Sequence, residues 1–339
     1  LGLFLLIFLL LLILSFLSTV KSLRIPISNS YSKKKPNNVK IFDKDLVVWW
    51  DNHKWCATND MCLHRQGSLS KGVITKEGKI KCGYHGWEYN ECGKCTHFPS
   101  TNKKLNIENG FYNIEEKDNV LWYIDDNCHN NDPVFENTFK NYIFTRWTYE
   151  ELNGSHDLYL ENIMDLLHFN HVHHNTPPPV SRYKEMDIIS KNESIVHWFN
   201  ESGFSLEVIG NTPSSYVFVA PYSLLFTLGD NVNICSFIYP IDKDHCTFYT
   251  SLLLHKQNNK IKNAFLKHSY QFIKPAIDFY GKGIFAQDKE QIIEQHKNIQ
   301  KHGKKYISPY VSDKPILLYN QWMNTYYNRS TVFNIDFNP

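Results

Sequence analysis

The chain has 339 residues, 42% of them apolar, which is enough to bury a large core and, at about 100 to 200 residues per domain, suggests two domains. A formal net charge of +2, with no basic stripe interleaved with aromatics, argues against nucleic acid as a partner. Eight cysteines are too few for a disulfide scaffold at this length, so their spacing carries more than their number.

The N-terminal run LGLFLLIFLLLLILSFL is apolar except for Gly2 and Ser15. It is short for a membrane span and suits the hydrophobic region of a signal sequence, with a single N-terminal anchor as the alternative. Residues 21–40 then carry Lys21, Arg24, Lys33, Lys34, Lys35 and Lys40, four serines and no acid before Asp43, which is the composition of a transit peptide. Together residues 1–40 read as a bipartite leader, secretory entry first and organelle import second. That predicts delivery to a plastid acquired by secondary endosymbiosis. Asn-x-Ser sequons at Asn153, Asn192, Asn200 and Asn328 would matter only on the secretory route and read as chance in an Asn-rich chain.

From residue 41 the texture is globular. DLVVWW (45–50) predicts a strand, and short β-like runs broken by Gly, Asn and Lys-Glu-Gly continue to about residue 145, so residues 41–145 read as an all-β domain. Within it, Cys62-x-His64 is answered by Cys82-x-x-His85. Two cysteines on one iron and two histidines on the other make the ligand set of a Rieske-type [2Fe-2S] cluster, and each pair here sits on one short loop. A zinc site more often pairs Cys with Cys and His with His, whereas these hooks mix them. Gly83, Gly86 and Trp87 supply the tight turn and the cover such a cluster needs. Cys92 and Cys95 form a Cys-x-x-Cys with no second pair nearby, and read as turn residues.

After WTYEELNG a helical pattern covers 156–174 until Pro177, Pro178 and Pro179 stop it. Alternating runs such as YVFVAPYSLLFTL and CTFYTSLLLH predict an antiparallel sheet, followed by helical segments around 261–300. The second domain, residues 146–335, is therefore α+β. Its key stretch is ENIMDLLHFNHVHH (161–174), where His168, His171, His173 and His174 compete to supply the two imidazoles of an iron(II) site with two histidines and a carboxylate. Spacing alone does not choose among them. His171 and His174 are at a helical i, i+3 separation, while His168 and His173 lie about 140° apart around a regular helix and need a bend or a helix end between them. A His-rich surface turn is the plain alternative.

Residues 41–100, with DLVVWWDNHKW, MCLHRQGSLSKG and IKCGYHGWEYNECGKC, resemble the Rieske domain of plant and algal oxygenases, and the chain is similar to the group holding pheophorbide a oxygenase, chlorophyllide a oxygenase and the Tic55-like proteins. Rieske proteins of the respiratory and photosynthetic complexes carry one further cysteine in each hook, joined as a disulfide. Gly67 and Tyr84 stand at those places here, which points to the oxygenase or ferredoxin type. The likeness extends to about residue 325 through GIFAQDKEQIIEQ (283–295) and SDKPILLYNQWM (312–323), the latter resembling a late strand of the group.

The resemblance implies the roles. The pattern Asn-x-x-Asp-x-x-His-x-x-x-x-His falls on Asn162, Asp165, His168 and His173, making His168 and His173 metal ligands with Asp288 as the carboxylate and Glu290 in reserve. Asp288 can equally be read as a solvated acid on an amphipathic helix whose Ile284, Ile292 and Ile293 face the core. Asp165, one turn before His168, is placed to orient its ring and, in the group, bridges to the cluster histidine of the next subunit, here His85. Such a head-to-tail contact closes into a ring, a homotrimer in the group.

The resemblance thus implies a Rieske non-haem iron mono- or dioxygenase with a helix-grip type catalytic domain. Its cofactors would be a [2Fe-2S] cluster and a mononuclear Fe(II), its electron donor ferredoxin or a reductase, and its substrates O2 and a chlorophyll-type tetrapyrrole. An electron-transfer or import-associated protein without the second iron, and an oxygenase of a small amine or arene, are the alternatives. Envelope-bound members carry a C-terminal Cys-x-x-Cys and hydrophobic helices, which do not follow Cys246 here, so association with envelope or thylakoid is left undecided by sequence.

Overall fold

In the computed structural model the described residues are 24–99, 106–124, 137–145, 147–165, 167–173, 193–209, 213–228, 232–257, 259–304 and 313–327. Residues 1–23 of the expected leader, His174, the Pro177–Pro179 stop and the sequons at Asn192 and Asn328 lie outside them.

Two antiparallel strands, β2 (Asn37–Ile41) and β3 (Lys44–Trp50), with β4 (Trp55–Asn59), form the first small sheet. The β3 run Leu46-Val47-Val48-Trp49 is fully buried and lacks the alternation of a half-exposed strand because both of its faces are covered. Val47 and Trp49 pack with Cys62, Leu69, Ile80, Cys82 and Tyr89 beneath the Cys/His loops. Leu46 and Val48 point the other way, into a cluster with Leu225, Phe237 and Tyr239 of the second domain. Each such side chain contributes about 1.5–3 kcal/mol relative to exposure, so one strand ties the loops to the larger sheet.

Two further sheets complete this half. Strands β5 (Val73–Ile74), β6 (Ile80–Lys81), β7 (Glu88–Tyr89) and β8 (Cys95–His97) carry the second hook, while β9 (Asn113–Lys117) and β10 (Val120–Ile124) pair with β1 (Arg24–Ser28).

The leader boundary at residue 40 is therefore corrected. Residues 24–28 and 37–40 are strand, with Ile25, Ile27 and Val39 in the core. Tyr239 Oη–H donates to the Pro26 carbonyl at 2.8 Å, which binds this segment to the second domain. The Lys33–Lys35 run that suggested a transit peptide lies in the exposed connection between β1 and β2.

The second half is one eight-stranded antiparallel sheet ordered β11-β18-β17-β16-β15-β14-β13, with β12 also pairing with β18. Its strands are β11 (Tyr142–Phe144), β12 (Thr148–Asn153), β13 (Glu193–Asn200), β14 (Gly203–Ile209), β15 (Ser214–Val219), β16 (Ser223–Leu228), β17 (Val232–Pro240) and β18 (His245–His255). Because β11 pairs with β18, the second domain starts a few residues before the expected border at 145/146. One face, with Leu206, Tyr216, Phe218 and Phe226, packs on the helices. The other packs on the first domain. The helices are α1 (His156–Met164), α2 (His168–Val172), α3 (Lys260–His302, capped by Asn259) and α4 (Lys314–Trp322).

Two expectations change here. The 156–174 helix is broken at Asp165, whose ψ of 104° is extended. The late strand expected in 312–323 is α4: Pro315, Leu318, Tyr319 and Trp322 form a buried helical stripe, and Pro315 sits in the first turn where its missing N–H costs nothing. Among the described residues no helix is long and apolar enough to cross a membrane.

Candidate metal centres

The two Cys/His hooks are the same turn built twice. In the first, Cys62 N–H donates to Gly67 O at 2.9 Å and Gln66 N–H to Cys62 O at 2.8 Å. In the second, Cys82 N–H donates to Trp87 O at 2.8 Å and Gly86 N–H to Cys82 O at 3.0 Å. The fifth residue of each has a left-handed backbone, φ 56° at Gln66 and 74° at Gly86. Matching turns present Cys62 and Cys82 inward, both buried, with His64 exposed and His85 half-buried on the outer side. The His64 and His85 rings are 4.6 Å apart, and Trp87 stacks on His64 at 4.9 Å.

This donor set fits a [2Fe-2S] cluster: two buried thiols that become thiolates, and two imidazoles toward solvent. Burial pushes the Cys62 thiol pKa up, so a thiolate there needs the positive charge that iron supplies. A Cβ added at Gly67 would lie 3.4 Å from Tyr84 Cβ and 3.6 Å from Cys82 Sγ. Gly67 and Tyr84 thus face each other, at the spacing a cross-hook disulfide would use.

Two supports escaped the sequence reading. Tyr89 on β7 accepts the Leu63 N–H at 3.0 Å, with its hydroxyl 3.3 Å from Cys62 Sγ. Asp60 accepts from Ser70 N–H at 2.6 Å and from Asn38 at 2.8 Å, tying the first hook to the turn after it and to β2. Neither role has a local signal, since both depend on the register of distant strands. Cys92 lies in a turn closed by Asn90, whose side chain accepts from the N–H groups of Cys92 and Lys94, whereas Cys95, expected in the same turn, is buried at the start of β8.

The second centre joins α1, α2 and α3. His168, His173 and Asp288 offer ligand atoms all within 4.8 Å of one another. Asp288 Oδ1 is 3.4 Å from His168 Nε2 and 3.2 Å from His173 Nε2. His168 begins α2 and His173 caps its end, so the helix end needed to bring them together falls between them. Their rings are 5.1 Å apart. Asp288 and His173 are 5% and 1% exposed, whereas Glu290 faces solvent and is no substitute for Asp288. Burial pushes the Asp288 carboxyl up, but its contacts with His168 and His173 outweigh that and hold it below the ordinary carboxylate range. A buried carboxylate oxygen facing two imidazoles has the chemistry of an iron(II) site with two histidines and one carboxylate.

Other expected site residues fall nearby. Asp165 does not hold His168 by its carboxylate: Oδ1 accepts the Leu167 N–H at 2.8 Å and Oδ2 stays 3.9 Å from the ring. The ring Nδ1 lies instead 2.5 Å from the Asp165 main-chain carbonyl. Breaking the helix at Asp165 turns that carbonyl toward the imidazole. Asn162 is half-buried, and its carbonyl accepts the Asp165 N–H at 3.2 Å. His171 is exposed on α2, away from the inward pair. Gln287, with no mark beyond its place beside Asp288, sits 2.8 Å from His173 Nδ1.

A domain of twin Cys/His hooks packed on one face of a sheet, whose other face packs on helices that carry a buried cluster of two histidines and a carboxylate, defines the two-domain Rieske architecture. The Rieske [2Fe-2S] domain family matches residues 23–115. Flavonoid 8-hydroxylase 2, chloroplastic, of Ocimum basilicum is 24% identical over 91% of this chain and 65% of its own length. Pheophorbide a oxygenase, chloroplastic, of Oryza sativa subsp. japonica is 28% identical over 61% of this chain and 44% of its own. Chlorophyllide a oxygenase, chloroplastic, of the same plant is 32% identical over 47% and 30%. The chain spans less than two thirds of the length of each of these relatives. Among solved structures, dicamba monooxygenase bound to dicamba shares the fold with a TM-score of 0.66 at 16% identity, covering 89% of this chain and 96% of that one. Residues 23–115 are thus a Rieske [2Fe-2S] domain, and the chain is similar to pheophorbide a oxygenase, chlorophyllide a oxygenase and TIC 55.

Proposed function

We propose that this chain is a Rieske-type oxygenase acting on a chlorophyll-type tetrapyrrole of the pheophorbide a or chlorophyllide a class. The observation that carries the reading is the presence, in one chain, of the twin hooks and of the buried His168–His173–Asp288 cluster. When bound, the [2Fe-2S] cluster supplies one-electron transfer and the iron(II) supplies oxygen activation.

The residues of this chain do the positioning. Cys62 and Cys82 would anchor the cluster from inside, while His64 and His85 put its other edge toward the surface, where ferredoxin or a reductase can approach. His168, His173 and Asp288 would hold the second iron on one side, with burial excluding water from the carboxylate. The second Asp165 oxygen, not spent on the Leu167 N–H, is available to reach the His85 of a neighbouring copy in a ring-shaped trimer.

The tetrapyrrole reading is supported by the two similar proteins named for pheophorbide a and chlorophyllide a, and plastid residence by the word chloroplastic in the relatives' names. A second reading has a specific support: the flavonoid 8-hydroxylase matches 91% of this chain, which favours a flat phenolic substrate. The test is oxygen uptake by the reduced protein with ferredoxin, in the presence of pheophorbide, chlorophyllide, protochlorophyllide or flavones. Stimulation by a tetrapyrrole, with product mass increased by oxygen, is expected. Stimulation by flavones alone would overturn the substrate, and no stimulation by any oxygen acceptor would favour an electron-transfer protein.

A further inference from the structure

Two consecutive residues of α3 meet opposite nitrogens of one ring. His173 turns Nε2 to Asp288 Oδ1 at 3.2 Å and Nδ1 to Gln287 Oε1 at 2.8 Å. A neutral imidazole has one N–H and one lone pair, and an amide oxygen can only accept. The Gln287 contact therefore keeps the proton on Nδ1 and leaves the lone pair on Nε2, the nitrogen that faces Asp288. Reversing the amide would set an NH2 donor against Nδ1, move the proton to Nε2 and close that nitrogen to a metal.

The two histidines are held by different means. His168 Nδ1 lies against a main-chain carbonyl, that of Asp165, which no side-chain substitution removes. His173 is turned by a side chain. That side chain neighbours Asp288 on a helix, so any movement of α3 carries ring acceptor and carboxylate together. Gln287 holds the Nδ1 edge directly, and a divalent metal seated between Nε2 and Asp288 would hold the other, fixing the ring plane as well as the tautomer.

We propose that Gln287 is the positioning residue that sets the tautomer and ring plane of His173, and through it the divalent-metal affinity of the His168–His173–Asp288 site. This rests on the metal-site reading above. Groups that orient ligand histidines typically govern about 10–100-fold in metal affinity.

The test uses the full chain with its [2Fe-2S] cluster in place and oxidised, stripped of mononuclear metal. Co(II) is titrated against a competing chelator and read by the paramagnetic resonance of high-spin Co(II). Gln287→Leu leaves Nδ1–H without its acceptor and should weaken Co(II) binding about 10–100-fold and change the signal. Gln287→Glu, which as a carboxylate can only accept, should stay within about threefold of wild type at neutral pH. Should Gln287→Leu not fold, Gln287→Met takes its place. Wild-type affinity and signal in the Leu or Met variant, with binding lost in His173→Ala, would overturn the role of Gln287 alone. Co(II) binding unaffected by His173→Ala and Asp288→Ala would overturn the metal site itself.

Discussion

The Tyr89 hydroxyl lies 3.3 Å from Cys62 Sγ while accepting the Leu63 N–H. A Cys62 thiolate bound to the cluster carries no proton, so there the Tyr89 hydroxyl is the donor and the sulfur the acceptor. A hydrogen bond to a ligand sulfur stabilises the reduced, more negative cluster and raises its potential. Tyr89→Phe should lower the midpoint potential in redox titration with the Rieske spectrum retained. An unchanged potential would show that the hydroxyl does not donate to the sulfur.

Gln66 and Gly86 hold equivalent left-handed positions in the two hooks, yet only one is glycine. Gln66→Gly should preserve or slightly raise stability. Gln66→Val should cost about 1–2 kcal/mol, because a β-branched residue tolerates φ near 56° poorly. Denaturant melts of the oxidised protein measure both, and equal stability of the Val and Gly variants would remove strain as the reason.

Asp165→Asn keeps an oxygen for the Leu167 N–H and leaves the carbonyl that holds His168 untouched. Iron affinity should therefore survive, while the charge that would face His85 of a neighbouring copy in the proposed trimer is lost. Stopped-flow oxidation of the reduced cluster by O2 with substrate should slow by at least about tenfold. A normal rate would take Asp165 out of the electron path.

Asp157 lies at the start of α1, against His156 at 2.9 Å and the Tyr319 hydroxyl at 3.2 Å. Burial pushes its carboxyl up, but the His156 contact and other partners dominate and bring its pKa down to about 2. A depressed carboxylate stabilises the fold above its unfolded value near 4 and loses that contribution as pH falls toward about 2. At pH 7 Asp157→Asn should cost up to about 2 kcal/mol, and the difference from wild type should vanish between about pH 5 and pH 2. A pH-independent difference would mean that ionisation is not what Asp157 contributes.

Much of this was legible in the chain because it is local. Each hook is a six-residue turn, so Cys62, His64, Cys82 and His85 declare themselves by spacing. The strand at 45–50 is equally plain, although its burial on two faces is not. Where the signal was compositional it failed: the Lys33–Lys35 run marked a leader, but Ile25, Ile27 and Val39 beside it are core. Pro315, Leu318, Tyr319 and Trp322 had helical spacing all along, and likeness to a strand of related proteins overrode it. The second centre could be assembled only by resemblance, since Asp288 meets His168 and His173 through the packing of α3 on α1 and β12. Gln287 and Tyr89 were invisible for the same reason, as an acceptor is identified by what the fold sets against it.

The assignment of two separate centres is tested most directly by iron stoichiometry. The chain reconstituted under reducing conditions should hold about three irons and show a Rieske spectrum, and His168→Ala should fall to about two with that spectrum unchanged. About two irons in both proteins would contradict the second centre and leave an electron-transfer protein.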